Sequence, residues 1–261
     1  MSEPRVTVDR DGHLLLIGLN RPEKMNAADH RLLSELALAY GELDRDPELR
    51  VGVVYAHGEH FTSGLDLADI APRIGASGLD MVPEGGIHPW GMDGTRVSKP
   101  VVLAVQGTCL TLGIELALAS DIVVAASDTV FAQLEVARAI LPFGGATTRF
   151  AAQAGWGNAM RWMLTGDRFD AHEAHRIGIV QEVVEPGTQL ERATAIAQTI
   201  AAQAPLAVQA TLANARLAVA EGETAAATRL PSDLVRLMQT EDARIGVEAF
   251  MTRSTPQFIG R

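Results

Sequence analysis

Apolar and polar positions along this chain recur with two periods. Near the start the period is two. Val6 and Val8 alternate with polar residues, Asp11-Gly12 offers a turn, and Leu14–Leu19 supplies a return strand, a hairpin pattern. The period lengthens to that of a helix over residues 29–43, where Leu32, Leu33, Leu36, Tyr40 and Leu43 share one face before Asp46-Pro47 stops it. Short apolar runs at Val51–Ala56 and Val101–Val105 are those of strands buried on both faces, and 121–126, opening on Asp121, is a third strand. Between them, Asp66 is placed to cap a short helix, and Gly107 leads through Thr111 into a helix over Leu112–Ala119.

Strand-to-helix alternation favours parallel strands joined by right-handed crossovers. After Gly144 the pattern turns helical, with helices expected over 158–164, 171–177, 189–203, 206–221 and 233–250, and one strand over 179–184. Gly178 suits the position after a helix end. The fold class is therefore α/β with a helical C-terminal extension, divided here into a core of residues 1–190 and a helical region of 191–261. No internal repeat is visible. Residues 72–98 are rich in Gly and Pro and too long for a simple connection, so they are expected to form a mobile segment covering a pocket.

Composition narrows the function classes. A formal net charge of −10 argues against nucleic acid or an anionic membrane as the main partner. Cys109 is the single cysteine, so no intrachain disulfide forms, and a reducing compartment is expected. No secretory pattern is seen at the N-terminus, and no apolar stretch approaches the ~20 residues needed to span a bilayer. The expectation is a cytoplasmic protein.

Two charges stand where the pattern gives them no solvent. Glu115 lies in Gly113-Ile114-Glu115-Leu116-Ala117 and Glu135 in Ala132-Gln133-Leu134-Glu135-Val136. An unpaired buried carboxylate costs several kcal/mol, or shifts its pKa until it is neutral. Two of them at one pocket suit general acid/base work on a water or a carbon acid. The bland alternative is that Glu115 pairs with an arginine or caps backbone while Glu135 is a solvated helix residue. Twenty residues is no metal or triad spacing, so on spacing alone that alternative stands ahead. The helix starting at Leu112 presents first-turn N–H groups without intrahelical partners, at the positive end of its dipole. Residues 61–66 form a second strand-to-helix junction of the same kind. One N–H from each junction would make an oxyanion hole.

With these residues in view, the chain resembles the crotonase superfamily, the enoyl-CoA hydratases and isomerases, nearly end to end. The resemblance is carried by Leu19-Asn20-Arg21-Pro22-Glu23-Lys24-Met25-Asn26-Ala27, by Phe61-Thr62-Ser63-Gly64-Leu65-Asp66-Leu67, and by Lys99-Pro100-Val101 with Gly113-Ile114-Glu115-Leu116-Ala117. It extends through Glu135 with Pro142-Phe143-Gly144-Gly145 to Leu164-Thr165-Gly166-Asp167. It implies a ClpP-like spiral of ββα units with a helical C-terminal region that makes a homotrimer or a dimer of trimers. It also implies a trans-2-enoyl thioester of coenzyme A as substrate, with no separate cofactor and no metal. Glu115 and Glu135 would be catalytic, and the N–H groups of Ser63 and Leu112 would form the oxyanion hole. Lys24, Met25, Ser63, Gly64, Leu65, Asp66 and Leu112 would contact substrate. Where the family has a run of glycines, this chain has Thr111-Leu112-Gly113. Leucine cannot take glycine's φ > 0 conformations, and its side chain fills space near the thioester.

Rival readings are less well supported by the residues. Ser63 is not in a Gly-x-Ser-x-Gly setting. His57 and His60 have no cysteine partner, and His172-Glu173-Ala174-His175 is one residue short of a zinc-binding His-Glu-x-x-His. No phosphate-binding glycine motif is complete. Trp156 and Trp162 are expected in the core, and Cys109 as a small buried residue. Within the family the alternatives to hydration are an enoyl-CoA isomerase and a non-catalytic acyl-CoA-binding protein.

Overall fold

The computed structural model describes residues 3–76 and 78–261. In chain order its elements begin with β1 (Val6–Asp11), β2 (Leu14–Leu19), α1 (His30–Arg45), β3 (Val51–Ala56) and α2 (Leu67–Ile70). They continue with β4 (Val101–Val105), β5 (Thr108–Leu110), α3 (Leu112–Ala119), β6 (Ile122–Ala126) and β7 (Val130–Ala132). The remainder is α4 (Ala146–Ala154), α5 (Trp156–Thr165), β8 (Phe169–Asp170), α6 (Ala171–Arg176), β9 (Glu182–Val184), α7 (Gln189–Ala201), α8 (Pro205–Glu221), α9 (Glu223–Met238) and α10 (Glu241–Thr252).

A larger sheet runs in the order β1-β2-β3-β4-β6-β9, parallel throughout except for β1, which pairs antiparallel with β2 as a hairpin. Alternate side chains divide between two cores. Leu15, Ile17, Val54, Leu103 and Val123 face α1 and α3, whereas Leu14, Val53, Val102, Ala104 and Val124 pack under Ala193, Ala197 and Ala201 of α7. The helix that finishes the sheet's second face therefore lies mostly beyond residue 190.

A smaller sheet, β5-β7-β8, positions the chemistry. β5 pairs parallel with β7, and Thr62 bridges in parallel to Cys109 of β5. Three times over, a long strand of the larger sheet gives way to a short segment of the smaller one: β3 to Thr62, β4 to β5, β6 to β7. This is the repeat of the ββα spiral, visible in the backbone although no sequence repeat marks it. The residues after each short segment emerge at one end of the small sheet: 63–66, 111–115 and 133–135.

The C-terminal half departs from the pattern in three places. α4 was not anticipated. The single helix expected over 233–250 is two helices, because Thr240 caps α10 by accepting the Ala243 N–H while α9 runs through Pro231. The strand expected over 179–184 is confined to β9. Trp162 is buried as expected, but Trp156 is 72% exposed.

Candidate active site

Residues 20–28 come first, because they hold the site's first loop. Asn26 is buried, and its side chain takes the Arg21 N–H on Oδ1 and donates from Nδ2 to the carbonyls of His57 and His60. Arg21 donates to the Ala27 carbonyl and to Asp66 Oδ2, both at 2.8 Å. Asp66 stands at the start of α2, but its side chain does not cap the helix as expected; it pairs with Arg21 instead. So braced, residues 25–28 run alongside 62–66 and, with the Thr62 hydroxyl, take up three of the N–H groups of residues 63–66. Ser63 N–H donates to Met25 O at 2.9 Å and Asp66 N–H to Ala28 O at 2.9 Å, while Gly64 N–H goes to Thr62 Oγ1 at 3.1 Å.

This corrects the Ser63 expectation. Its N–H is already spent on the neighbouring strand-like segment, and its side chain lines the cavity only as a wall. The N–H of residues 63–66 with no protein acceptor is that of Leu65, which also lines the cavity. At the second junction the Leu112 N–H is free of a helical acceptor. Glu115 N–H to Thr111 O, 3.1 Å, is the first bond of α3, so the Leu112, Gly113 and Ile114 N–H groups have no helical acceptor. Leu112 occupies the first helical position. The positive φ falls on Thr111 (φ 49°, ψ −112°), so the backbone at Leu112 needs nothing that leucine cannot give. Gly64, at φ 104°, lies against Thr111 Oγ1, where a Cβ would collide. The two donor loops thus touch through a glycine and a strained threonine.

Glu115 and Glu135 are both buried, 3% and 6% exposed, and both line this cavity. Glu115 Oε1 accepts the Ala146 N–H at 3.1 Å, at the start of α4. Gly144 is needed beside it, since a Cβ there would sit 2.6 Å from Oε2. Burial pushes the Glu115 carboxyl up, opposed by the N–H groups of residues 144–146 and by Arg149. Glu135 begins a 3₁₀ turn, Glu135–Arg138, directly after β7. Its Oε1 accepts from Gln133 Nε2 at 3.0 Å and its buried Oε2 has no protein partner. Burial, reinforced by the charge of Glu115, pushes Glu135 up to about 7. The charge of Glu115 is thus felt at Glu135 across one cavity.

The cavity has a volume of about 670 Å³. The Gly/Pro-rich segment contributes its cover. Trp90, 3% exposed, donates its indole N–H to Leu112 O at 3.1 Å, and its carbonyl accepts from Arg149 at 2.7 Å. His88 also lines the wall, with its pKa lowered by burial. Trp90, His88 and Arg149 were not anticipated. An aromatic within a Gly/Pro-rich stretch, His88-Pro89-Trp90, was the available signal. Lys24 and Met25 are exposed and lie outside the cavity wall, next to Ser63, whose Oγ reaches Lys24 O at 3.5 Å. His57 and His60 are occupied structurally, by Thr7 Oγ1 and the Thr108 N–H. A second groove of about 780 Å³ near α10 is lined by residues such as Phe250, Arg253 and Phe258 and has no carboxylate.

A model of the enoyl-CoA hydratase/isomerase family matches residues 9–261. The chain belongs to that family. A solved structure of a probable enoyl-CoA hydratase/isomerase from Mycobacterium abscessus is 59% identical and superposes with a TM-score of 0.96, covering 98% of this chain and 99% of that one. Enoyl-CoA hydratase EchA19 of Mycobacterium tuberculosis is 30% identical over 100% of this chain and 98% of its own length. The 2,3-dehydroadipyl-CoA hydratase of Escherichia coli is 32% identical over the full length of both. No helix among the described residues of this family member is long and apolar enough to cross a membrane.

Proposed function

We propose that this family member hydrates trans-2-enoyl thioesters of coenzyme A. One observation carries the reading: two buried carboxylates with raised pKa face a cavity that also presents two backbone N–H groups free of protein acceptors. The thioester oxygen accepts from the Leu65 and Leu112 N–H groups. As water adds at C3, negative charge moves from the C2=C3 bond onto that oxygen, and the dipole of α3 favours it there. Glu115 takes the proton of the attacking water. Its partners at the start of α4 favour its charged form. Glu135, up at about 7, is protonated in a substantial fraction of molecules at neutral pH and delivers a proton to C2. The product is a 3-hydroxyacyl thioester, with water consumed and no electrons exchanged.

The test is loss of the conjugated enoyl absorbance of crotonyl-CoA and longer 2-enoyl-CoAs. Glu115→Gln and Glu135→Gln are each expected to lower kcat by roughly 10²–10⁴ with little change in thioester binding. Turnover surviving both substitutions sinks the mechanism. Conversion of a 3-enoyl-CoA, lost only with Glu135→Gln, makes the protein an isomerase instead. Binding without turnover at any chain length makes it a carrier.

A further inference from the structure

The cavity wall carries two arginines that close no ion pair among the described residues. β8 runs antiparallel to β7, with Phe169 opposite Phe131, so Arg168 lies beside the exit of β7, where the chain turns into Gln133–Glu135. Arg138 ends the 3₁₀ turn that begins at Glu135, and Ala139, left-handed at φ 57°, stops the turn there. Both arginines line the cavity. Both are exposed, and neither makes an ion pair among the described residues: Arg138 reaches the Leu134 carbonyl at 3.4 Å and eases the ionisation of Glu135 only through its charge, and Arg168 makes no hydrogen bond among those residues. Elsewhere the chain spends carboxylates freely on its arginines, as at Arg21, Arg176, Arg192 and Arg216. With a net charge of −10 it has carboxylates to spare, and Asp167 and Asp170 flank Arg168 in the chain, yet no carboxylate among the described residues closes an ion pair with either arginine. Of the cavity's other carboxylates, Asp93 accepts the Thr95 N–H, and Glu115 and Glu135 are the reacting pair.

The wall near the arginines is apolar, made by Leu134, Ile140 and Phe143. That combination suits a hydrocarbon chain ending in an anion. A guanidinium presents a planar fork matched to carboxylate oxygens. We propose that Arg138 and Arg168 bind a carboxylate at the far end of the acyl chain, so that the preferred substrate is the monothioester of a dicarboxylic acid. The direction of the acyl chain rests on the hydratase reading: the thioester sits at Leu65 and Leu112, and the chain runs past Glu135. A phosphate of coenzyme A is the same kind of anion from the opposite end of the ligand, and the measurement separates the two.

Equilibrium binding is measured with saturated thioesters in pairs of equal length, ending in carboxylate or in methyl, alongside free coenzyme A. Saturated ligands cannot be hydrated, so this result is independent of the chemistry; turnover of crotonyl-CoA and of 2-enoyl thioesters ending in carboxylate is followed separately. The wild type is expected to prefer the carboxylate end by at least about tenfold, and Arg138→Gln and Arg168→Gln each to cut that ratio several-fold, with Arg138→Lys intermediate. Absence of a preference, or a ratio unmoved by both substitutions, overturns the proposal. Equal weakening of both thioesters and of free coenzyme A assigns the arginines to a phosphate and also overturns it. Preference with no turnover of crotonyl-CoA or of 2-enoyl thioesters ending in carboxylate would retain the anion site and refute the hydratase; turnover without preference would do the reverse.

Discussion

Glu135 shows how one residue's surroundings set both its chemistry and its cost. A glutamate ordinarily near 4.5 stands at about 7 here, because burial and the Glu115 charge both oppose ionisation. Between those two pH values the folded protein binds more protons than the unfolded chain. The stability associated with protonated Glu135 is therefore fully present below about 4.5 and lost as pH rises toward 7. Glu135→Gln removes the titration, so its gain in stability over wild type should be larger at pH 8 than at pH 5 in urea unfolding. An equal gain at both would mean the carboxyl is not perturbed. Thr111 makes a related point through backbone strain. A β-branched residue at φ 49°, ψ −112° costs about 1–3 kcal/mol, and its buried hydroxyl has no partner. Glycine removes that strain and adds about 0.5–1 kcal/mol of unfolded-state entropy. Thr111→Gly should thus stabilise by about 1 kcal/mol in thermal unfolding; destabilisation would mean the threonine methyl's packing outweighs the strain. The two glutamates were legible in sequence because charge stood out against apolar neighbours. The Leu65 N–H was not, since its freedom depends on which neighbours Met25 O and Ala28 O engage, some forty residues away in the chain.

Among elements, the important junction is where the loop after Thr62 meets the start of α3. Each loop carries one of the two N–H groups proposed to hold the thioester oxygen, and the loops meet at Gly64 and Thr111. A side chain at 64 would have both a positive φ and a collision with Thr111 Oγ1. Gly64→Ala is expected to cost about 3 kcal/mol and to lower kcat more than it raises KM, because the two donors are pushed apart. If contact is part of the cause, the double variant with Thr111→Gly recovers a portion of both losses, leaving the φ penalty behind. Purely additive effects would place the whole cost in the Gly64 backbone. At this scale the sequence was readable where burial is continuous: β2, β3 and β4 are apolar on both faces and α1 on one, whereas in β1 only Val6 is buried and Val8 is exposed. It was less readable where neighbours decide. α9 continues through Pro231 because it packs as a hairpin on α8, with Asn214 donating to Ala226 O at 2.9 Å. The small sheet escaped notice because segments as short as β5, β7 and β8 carry no period; they exist through their pairing with one another.

In the whole molecule, the C-terminal helices are held firmly yet leave apolar surface uncovered. Asp242 is buried and accepts the Ile259 and Gly260 N–H groups, while Arg50 donates to the carbonyls of Ala201 and Phe258. The tail is thus latched to α10 and to the end of α7, and the helices are not loosely appended. Phe250 is nevertheless 83% exposed, and Val219, Leu234, Val235, Met238 and Met251 are also exposed. Scattered apolar side chains on a monomer's surface need no explanation, but this many on three consecutive helices is the pattern of a contact surface. Trp156 adds a further exposed aromatic at the start of α5. Burying such side chains against another copy is worth roughly 1.5–3 kcal/mol each, enough in sum to offset the entropy of association. Closed cyclic assembly satisfies every copy equally. Sedimentation equilibrium is therefore expected to give a multiple of the 27.8 kDa chain mass, three or six being the multiples that the family resemblance implies, and the pair Phe250→Glu with Leu234→Glu to shift it toward that single mass. A wild type that sediments at 27.8 kDa across micromolar concentrations would show that these helices serve another partner.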